Sequence, residues 1–193
     1  MSLPMHHWHV AQERAFFSLA TKLGPDSVTP VVMGLPFAVG NGAGPIRKWG
    51  FVHEYVAAMK RRETRKPFVM GKGQNIWSWA CPQDIAAAIE KIVDEWKRDE
   101  NKVHLSGYYY VEAGELEMQV LARCVGQTLT QEAQYECESL QYPQFAEIMP
   151  TLPGLWGVSA RCQADRLRKL GWKPKNNEWK PLVNDCTQLT IPM

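Results

Sequence analysis

The sequence predicts an α/β fold in which a few parallel strands are flanked by helices. Residues 28–37 form a continuous apolar run of strand length, which is typical of a strand buried on both faces, as in a parallel sheet. Residues 82–98 carry apolar side chains at helical spacing, which predicts an amphipathic helix. Directly before that helix, residues 71–80 read as a turn followed by a strand. Such alternation of strands and helices is typical of α/β domains.

The first part of the chain is predicted as helix, strand, loop and helix. Residues 6–23 have apolar side chains at helical spacing and are followed by a Gly-Pro pair, which is a common helix ending. The apolar strand 28–37 comes next, and the glycine-rich residues 40–45 form a flexible loop. Residues 47–62 then form a second amphipathic helix, whose basic end complements the helix dipole.

The middle of the chain has the clearest pattern. Residues 67–70 are predicted as a short strand and residues 71–74 as a tight turn into the strand that carries Trp77 and Trp79. The helix that follows has proline at its first position and an acidic residue in its first turn, both of which favour a helix start.

The remaining residues continue the alternation and end in a tail that we expect to be irregular from about residue 174. The chain is expected to form one domain over residues 1–193. The individual predictions are a polar connection at 99–106, a strand at 108–111, a helix at 115–129, no decision for 132–140, a short helix at 143–149 and a helix from 159 to 170.

The composition narrows the class of function. The chain has 193 residues and a mass of 22.0 kDa, with 45% hydrophobic and 22% charged residues, which suits a globular protein. A formal net charge of +2 is too small to indicate a nucleic-acid or anionic-membrane partner. We therefore expect a small-molecule partner, and neither nucleic acid nor membrane.

The cysteines and the absence of targeting signals favour a cytoplasmic protein. Five cysteines lie far apart with no C-x-x-C pair, which predicts free thiols in a reducing compartment. No apolar run in the sequence approaches the ~20 residues needed to span a bilayer. The N-terminus also lacks the basic and apolar regions of a signal peptide.

Two tryptophans suggest a wall of a ligand cleft. Trp77 and Trp79 are two residues apart in a predicted strand, so both rings point to the same face. Large rings just before a helix start suit an organic ligand, although aromatic residues in strands are also ordinary core residues. The aromatic substrate-binding candidates are Phe37, Trp77, Trp79, Tyr108 and Tyr110, and the polar ones are Asn41, Ser78 and Arg161.

Four segments resemble the NAD-dependent epimerase/dehydratase group of the extended short-chain dehydrogenases. Pro36 and Gly40 match the family's R-P-x-x-[IV]-[YF]-G strand end, and Asn75 and Asp84 fit the Asn and the last Asp of its G-x-G-x-N-x-x-D-x-[VI]-[HY]-V-x-D segment. Residues 107–115 are similar to its G-x-x-Y strand that leads to G-E. The segments 155–161 and 168–174 look like its closing N-S-R and L-G-W-x-P signatures, nearest to fungal-type members. The resemblance implies the family's C-terminal, substrate-binding half with a small substrate lobe.

The resemblance also shows departures from the family pattern. Leu35 replaces the family's Arg, Val39 its aromatic residue, and Ser78 its Asp. The dinucleotide fingerprint belongs far upstream of Pro36, where this sequence has no counterpart, and the Tyr-x-x-x-Lys pair would fall around Pro4 and Trp8. A partial fold without its dinucleotide-binding half is therefore expected, and no cofactor is expected to bind to this chain alone.

The glycine-rich loop is not expected to replace that fingerprint. Residues 40–44 follow a strand, but Pro45 stands where a third fingerprint glycine would be. The basic residues 60–62 lie where an acidic residue would bind ribose. We interpret the loop as a cover over a ligand cleft.

Four side chains are candidates for catalysis. His9 and Glu13 stand near the projected position of the family's Tyr and Lys, and His suits proton transfer near neutral pH. Cys81 occupies a family His/Tyr position before a helix start, where a thiolate is favoured, and Asp84 lies in that helix's first turn. The alternatives are a solvated helix start and a small buried thiol. His6, His7 and His9 lack further ligands at metal spacing, so no metal site is expected.

Three functions remain open from the sequence. The first is a small-molecule-binding epimerase/dehydratase-type protein that has lost its nicotinamide site and acts on a hydrophobic or aromatic, secondary-metabolite-like substrate. The second is a cofactor-independent isomerase, cyclase or lyase that reuses this pocket by acid/base catalysis. The third is a non-catalytic partner or scaffold subunit. Because the apolar strand 28–37 would lack its usual neighbours, a homodimer or a partner subunit is expected to cover its edge.

Overall fold

A computed structural model describes residues 9–24, 27–43, 50–98, 102–131, 136–151 and 153–188. Within these residues the helices are α1 (Val10–Leu23), α2 (Phe51–Arg61), α3 (Pro82–Arg98), α4 (Met118–Thr130), α5 (Tyr142–Ile148), α6 (Asp165–Lys169) and α7 (Trp179–Gln188). The strands are β1 (Val31–Gly34), β2 (Phe37–Ala38), β3 (Phe68–Met70), β4 (Ile76–Ala80), β5 (Gly107–Tyr110), β6 (Gly114–Glu117) and β7 (Glu138–Leu140).

The strands form small sheets in which parallel pairing predominates. β1 pairs with β5, β2 with β4 and β3 with β7, all in parallel, whereas β4 and β6 are antiparallel. Since parallel strands need crossover connections, helices separate the paired strands along the chain. The predicted α/β class, with few parallel strands flanked by helices, is confirmed.

The apolar run 28–37 is divided between two sheets, where the sequence predicted one strand. β1 ends at Gly34 and pairs with β5, and β2 begins at Phe37 and pairs with β4. Leu35 and Pro36 lie between them. Proline has no N–H to donate to a strand partner, so the chain leaves one sheet here and enters the next.

Other segments also differ from the sequence prediction. The helix predicted from 159 to 170 is wrong over its first part, because α6 begins only at Asp165. The predicted helix 115–129 begins only at Met118, because residues 114–117 form β6 against β4. Leu116 is 2% exposed between an exposed Glu115 and a half-buried Glu117, which is the period-two pattern of a strand. The tail expected to be irregular contains α7, which buries Val183 and Cys186.

The buried apolar residues form two clusters. The larger cluster joins α2, α4 and the strands β2 to β4, and it includes Trp79, Phe145 and Trp156. The smaller cluster joins α3, β5 and α6 and includes Tyr109 and Leu167. Ala113 packs against both clusters, so the two cores meet where β5 leads into β6.

α1 is only thinly covered by the rest of the chain. Its 14 residues bury only Val10 and Ala20, whereas the 11 residues of α2 bury six side chains. Phe16, Leu19 and Leu23 on α1 remain 41%, 56% and 52% exposed. In the described part of the chain, none of the helices is long and apolar enough to cross a membrane.

Candidate functional site

α1 runs antiparallel to β5, which places the start of the helix near the carboxyl end of the strand. Ala20 and Thr21, late in the helix, line one cleft together with Ser106, just before β5. Earlier in the helix, Glu13 and Phe17 contact Tyr108 within β5. The start of α1 therefore lies toward the carboxyl end of β5. Ligands bind outside the carboxyl ends of strands in open α/β sheets.

A cleft of about 600 Å³ lies at this end of β5. The strand contributes Tyr110 at its last position, and β6 contributes Glu115. The other side of the cleft is a segment without regular structure that leads into α6. The lining residues are Tyr110, Glu115, Arg161, Cys162, Gln163 and Asp165.

Tyr110 reaches the cleft because of strand alternation and a neighbouring glycine. Tyr109 is 1% exposed in the smaller core, so Tyr108 and Tyr110 lie on the opposite face of β5, with 40% and 46% of their surface exposed. A Cβ atom at Gly34, the register partner of Tyr110 in β1, would lie only 2.5 Å from the Tyr110 ring. The Tyr110 ring therefore lies directly over the backbone of Gly34, which has no side chain to displace it.

Arg161 and Glu115 form a bidentate ion pair at the cleft. The guanidinium Nε and Nη2 donate to the two carboxylate oxygens at 2.7 and 2.9 Å. The hydrogen bonds from Arg161 lower the pKa of Glu115, and the same pairing raises the pKa of Arg161. Both side chains are exposed, so the pair adds little to stability.

Ser78 anchors the backbone that carries Arg161. Its N–H donates to the carbonyl of Ala160 at 2.9 Å, and its hydroxyl donates to the carbonyl of Cys162 at 3.1 Å. The N–H of Cys162 donates back to the Ser78 hydroxyl at 2.8 Å. Ser78 is fully buried. It therefore positions residues 160–162 on β4 and has no surface toward the cleft.

Glu13 and Tyr108 form a hydrogen-bonded pair on the face that carries Tyr110. The Tyr108 hydroxyl donates to the Glu13 carboxylate at 2.8 Å. This bond raises the pKa of Tyr108, and the nearby Tyr110 adds to the shift. His9 precedes α1 in a left-handed backbone conformation and is exposed. His9 and Glu13 thus lie toward the cleft end of the strand, while His6, His7 and Trp8 lie outside the described residues.

The predicted tryptophan wall lies in the larger core. Trp79 and Phe37 are 1% and 3% exposed. Trp77 is half-buried, packs against the same cluster, and donates its indole N–H to the carbonyl of Val158 at 2.7 Å. Both indoles pack in the larger core: the ring of Phe37 contacts Trp77, and Phe51 and Trp156 contact Phe37 in turn. Phe37, Trp77 and Trp79 do not line the cleft at Tyr110, the clefts beside α1 and α3, or the small void beside Trp156.

Cys81 and Asp84 hold the chain that follows Trp172 against the start of α3. They are 0% and 1% exposed, and the Cys81 thiol donates to the Asp84 carboxylate at 3.1 Å. Asp84 also accepts the backbone N–H groups of Lys175 and Asn176 at 2.8 and 3.1 Å. Burial raises the pKa of Cys81, which keeps this thiol protonated at neutral pH.

The first residues of the loop after β2 pack against α7 and α2. A Cβ atom at Gly40 would meet Leu182 of α7 at 3.5 Å. The side chain of Asn41 bonds to the ring of His53 at 2.8 Å, and its carbonyl accepts from Gln83 at 2.8 Å. Residues 44–49 lie outside the described residues.

The structure adds Glu115, Cys162, Gln163 and Asp165 to the site residues predicted from sequence. Glu115 and Arg161 both belong to segments used for the family resemblance, but 46 positions separate them. Nothing in either segment alone indicates that the two pair. Among the described residues, no group of three His, Cys, Asp or Glu side chains could hold a metal ion.

Comparison with known proteins identifies the fold. No family model matches the chain. The chain is similar to the oxidase ucsJ of the fungus Acremonium sp, with 26% identity over 175 residues that cover 83% of this chain and 49% of the relative.

Solved epimerase structures resemble it closely in backbone and distantly in sequence. UDP-N-acetylglucosamine 4-epimerase from Methanobrevibacter ruminantium M1 matches with a TM-score of 0.64 at 14% identity, over 96% of this chain and 54% of that protein. An epimerase from Methanothermobacter thermautotrophicus gives 0.62 at 14% identity, over 97% and 52%. A human epimerase family protein with NADPH gives 0.60 at 15% identity, over 89% and 51%.

The fold is that of the NAD-dependent epimerases and dehydratases. The chain spans about half the length of the relatives that it matches. At this level of identity the likeness establishes the fold, so the activity has to be argued from the cleft itself.

Proposed function

We propose that the chain binds a small organic molecule in the cleft at the carboxyl end of β5, as the substrate-binding part of an epimerase/dehydratase-type protein. The observation that carries this proposal is the joint placement of Tyr110 and Arg161 in one cleft. Both were selected from sequence as substrate-binding residues. A volume of about 600 Å³ lies within the range of about 300–1,000 Å³ that is usual for ligand sites.

The lining residues favour a ligand of a particular chemical class. The half-exposed ring of Tyr110 offers a stacking surface for an apolar or aromatic group. Arg161 offers a planar cation for a carboxylate or a phosphate, in place of Glu115. Gln163 and Asp165 add hydrogen-bonding groups at the rim. We propose a ring-bearing organic substrate with an acidic or hydroxyl substituent.

The proposed test is a fragment screen by ligand-observed NMR on the purified chain, followed by affinity measurements on variants. Fragments that carry both an aromatic ring and a carboxylate are expected to bind. Tyr110→Ala and Arg161→Gln should each weaken their binding by about tenfold or more, since 1.4 kcal/mol corresponds to a factor of ten. Arg123→Gln, an exposed arginine on α4, is the control.

Two results would contradict the proposal. Fragments that bind equally well to all four proteins would place the ligand elsewhere. A chain that binds none of them would instead support the third reading, a non-catalytic partner or scaffold subunit.

We further propose that the chain has no nicotinamide site of its own. This proposal is supported by the inward packing of Gly40 on Leu182 and by the contacts of the basic residues after it. Lys60 donates to the carbonyl of Thr187, and Arg62 pairs with Glu138, so both are engaged within the fold. Calorimetric titration with NADH and NADPH should give no saturable heat. A dissociation constant in the micromolar range would overturn the proposal and favour a dehydrogenase.

A second candidate function is acid/base catalysis without a cofactor, as in an isomerase, cyclase or lyase. The specific observation in its favour is the Glu13–Tyr108 pair beside Tyr110. The Tyr108 hydroxyl donates its hydrogen bond to the Glu13 carboxylate, and the raised pKa of Tyr108 keeps that proton on the hydroxyl at neutral pH. Glu13 is therefore the group proposed to accept a proton. If a substrate is turned over, Glu13→Gln should lower kcat by about a hundredfold with KM little changed. An unchanged kcat would exclude Glu13.

A further inference from the structure

The cleft at the carboxyl end of β5 contains one carboxylate that has no partner within the described part of the chain. Its charged lining residues are Glu115, Arg161 and Asp165. Arg161 donates to both carboxylate oxygens of Glu115, so these two charges compensate each other. Among the described residues, the exposed Asp165 carboxylate makes no hydrogen bond and no ion pair, not even with Lys169 one helical turn further on. The lining therefore has one cation against two carboxylates.

The arginines of α6 are engaged with groups other than Asp165. The guanidinium carbon of Arg166 lies 4.1 Å from the centroid of the Tyr109 ring, and its Nη1 donates to a backbone carbonyl of β5 at 3.1 Å. Arg168 donates to the carboxylate of Glu112 at 2.8 Å. Both arginines thus fasten α6 to β5 and to the chain that follows it, and neither compensates the charge of Asp165.

Tyr110 is a second group in this cleft that attracts a cation. Its ring is 46% exposed and lines the same cleft as Asp165. The face of an aromatic ring attracts an ammonium group that lies within about 6 Å of the ring centroid. A cleft of about 600 Å³ is on the order of 10 Å across, which is comparable with the Debye length of about 8 Å at physiological ionic strength. Solvent ions therefore screen the charges within the cleft only in part.

We infer that the ligand of this cleft carries a cationic amine in addition to its ring and its acidic group. This inference rests on the proposed function, in which Tyr110 and Arg161 bind the ring and the acid. It adds Asp165 as the residue that binds the amine and so selects the ligand. The chemical class is a ring-bearing molecule with both an acid and an amine, as in an aromatic amino acid.

The charges of the cleft disfavour a ligand that is only acidic. When a ligand carboxylate pairs with Arg161 in place of Glu115, both Glu115 and Asp165 are left without a counter-ion. Carboxylates that share one cleft repel each other, and like charges brought together at a binding site lower affinity. An ammonium group on the same ligand supplies the missing counter-ion, so the amine and the acid bind better together than the acid alone.

NMR titration of the purified chain with two matched probes tests this inference. The probes are phenylalanine and hydrocinnamate, which lacks only the amino group. The wild type should bind phenylalanine about fivefold more tightly or better, because an exposed ion pair and an exposed cation–π contact each contribute modestly. Asp165→Asn should weaken phenylalanine binding to the level of hydrocinnamate and leave hydrocinnamate no weaker than before. Asp94→Asn, at an exposed carboxylate on α3, should retain the preference of the wild type.

The other outcomes separate this inference from the proposed function. Hydrocinnamate that binds as tightly as phenylalanine would overturn the inference and leave the proposed function in place. A preference for phenylalanine that survives Asp165→Asn would assign the amine to another group and also overturn it. If neither probe binds, the same comparison applies to each aromatic carboxylate from the fragment screen and its amino-substituted analogue, with equal affinity as the contradicting result. A chain that binds neither kind of molecule contradicts the proposed function and the inference together.

Discussion

The pKa of the buried Asp84 carboxyl is set by its hydrogen-bond partners. Burial by itself raises the pKa of this carboxyl, but the N–H groups of Lys175 and Asn176 and the Cys81 thiol donate hydrogen bonds to it and leave its pKa below the usual value of 3.8. The charged form is therefore the one that the folded chain stabilises. These bonds join the start of α3 to the segment that precedes α7.

Asp84→Asn should lower stability by about 2–3 kcal/mol, since hydrogen bonds to charged groups contribute more than neutral ones. The pKa of Asp84 is lower in the folded state than the unfolded value of about 3.9. Its contribution is thus fully present above about pH 4 and is lost as the pH falls through the lower, folded pKa. Urea unfolding of wild type and variant at pH 7 and pH 3 should show a difference that shrinks at pH 3.

Asp94→Asn is the matched control, because Asp94 is an exposed carboxylate on the same helix. Its stability should equal that of the wild type at both pH values. An Asp84→Asn variant as stable as the wild type at pH 7 would show that the carboxylate is dispensable to this junction.

The sequence identifies side chains suited to a ligand but not which of them a second layer will cover. Tyr110 and Trp79 are both aromatic residues in strands, yet Trp79 is 1% exposed in the larger core and Tyr110 is 46% exposed. Ser78 was selected for its hydroxyl, yet its role depends on Cys162, 84 positions away. Residue type predicts chemistry, whereas long-range pairing decides access.

At the scale of elements, the register of β1 and β5 sets the shape of the cleft. Gly34 is opposite Tyr110, and the ring lies over the space where a larger residue would carry its Cβ atom. Tyr110 is 46% exposed, so its ring can move outward with little loss of packing. A substitution in β1 should therefore change ligand binding in the cleft more than it changes the packing of the core.

Gly34→Ala should displace the Tyr110 ring and weaken binding of the aromatic carboxylate fragments by about tenfold. The loss of stability should remain below about 1 kcal/mol, because the clash involves an exposed side chain and not the core. Affinity by NMR and thermal unfolding measure the two effects separately. Gly154→Ala, where a Cβ atom meets nothing within 4 Å, is the control, and equal affinity in both variants would refute the proposed role of this ring.

Elements with a local signal were predicted well, and those that depend on distant partners were not. α3 has the predicted bounds, 82–98, because proline, an acidic first turn and the apolar spacing all lie within it. Residues 115–117 of β6 also fit the start of the helical pattern predicted for 115–129. Only their pairing with β4 makes them a strand. α7 has a modest apolar face, which did not by itself predict a helix. In the structure α2 and α4 pack against this helix.

At the scale of the whole molecule, the two apolar clusters are expected to unfold together. They share Ala113, and Asp84 and Arg166 add links around the smaller one. Each cluster contains a buried tryptophan, Trp156 in the larger and Trp172 in the smaller. Fluorescence therefore reports on both regions at once.

Phe145→Ala and Leu167→Ala remove fully buried side chains from the larger and the smaller cluster, respectively. Each should destabilise the chain by about 2–5 kcal/mol, and each should retain a single transition that coincides by fluorescence and circular dichroism. An early, separate fluorescence transition in Leu167→Ala would show that the two clusters are independent units.

The cleft lining comes from two stretches of chain, residues 110–115 and 161–165, with Ser78 fixing the second of them to β4. Neither stretch encloses the cleft by itself, so the cleft exists only once distant parts of the polypeptide have docked. A ligand that occupies it would therefore bind the native state alone and shift the folding equilibrium by mass action. A compound found for this cleft would also act as a chaperone for weakened variants, including those altered far from Tyr110.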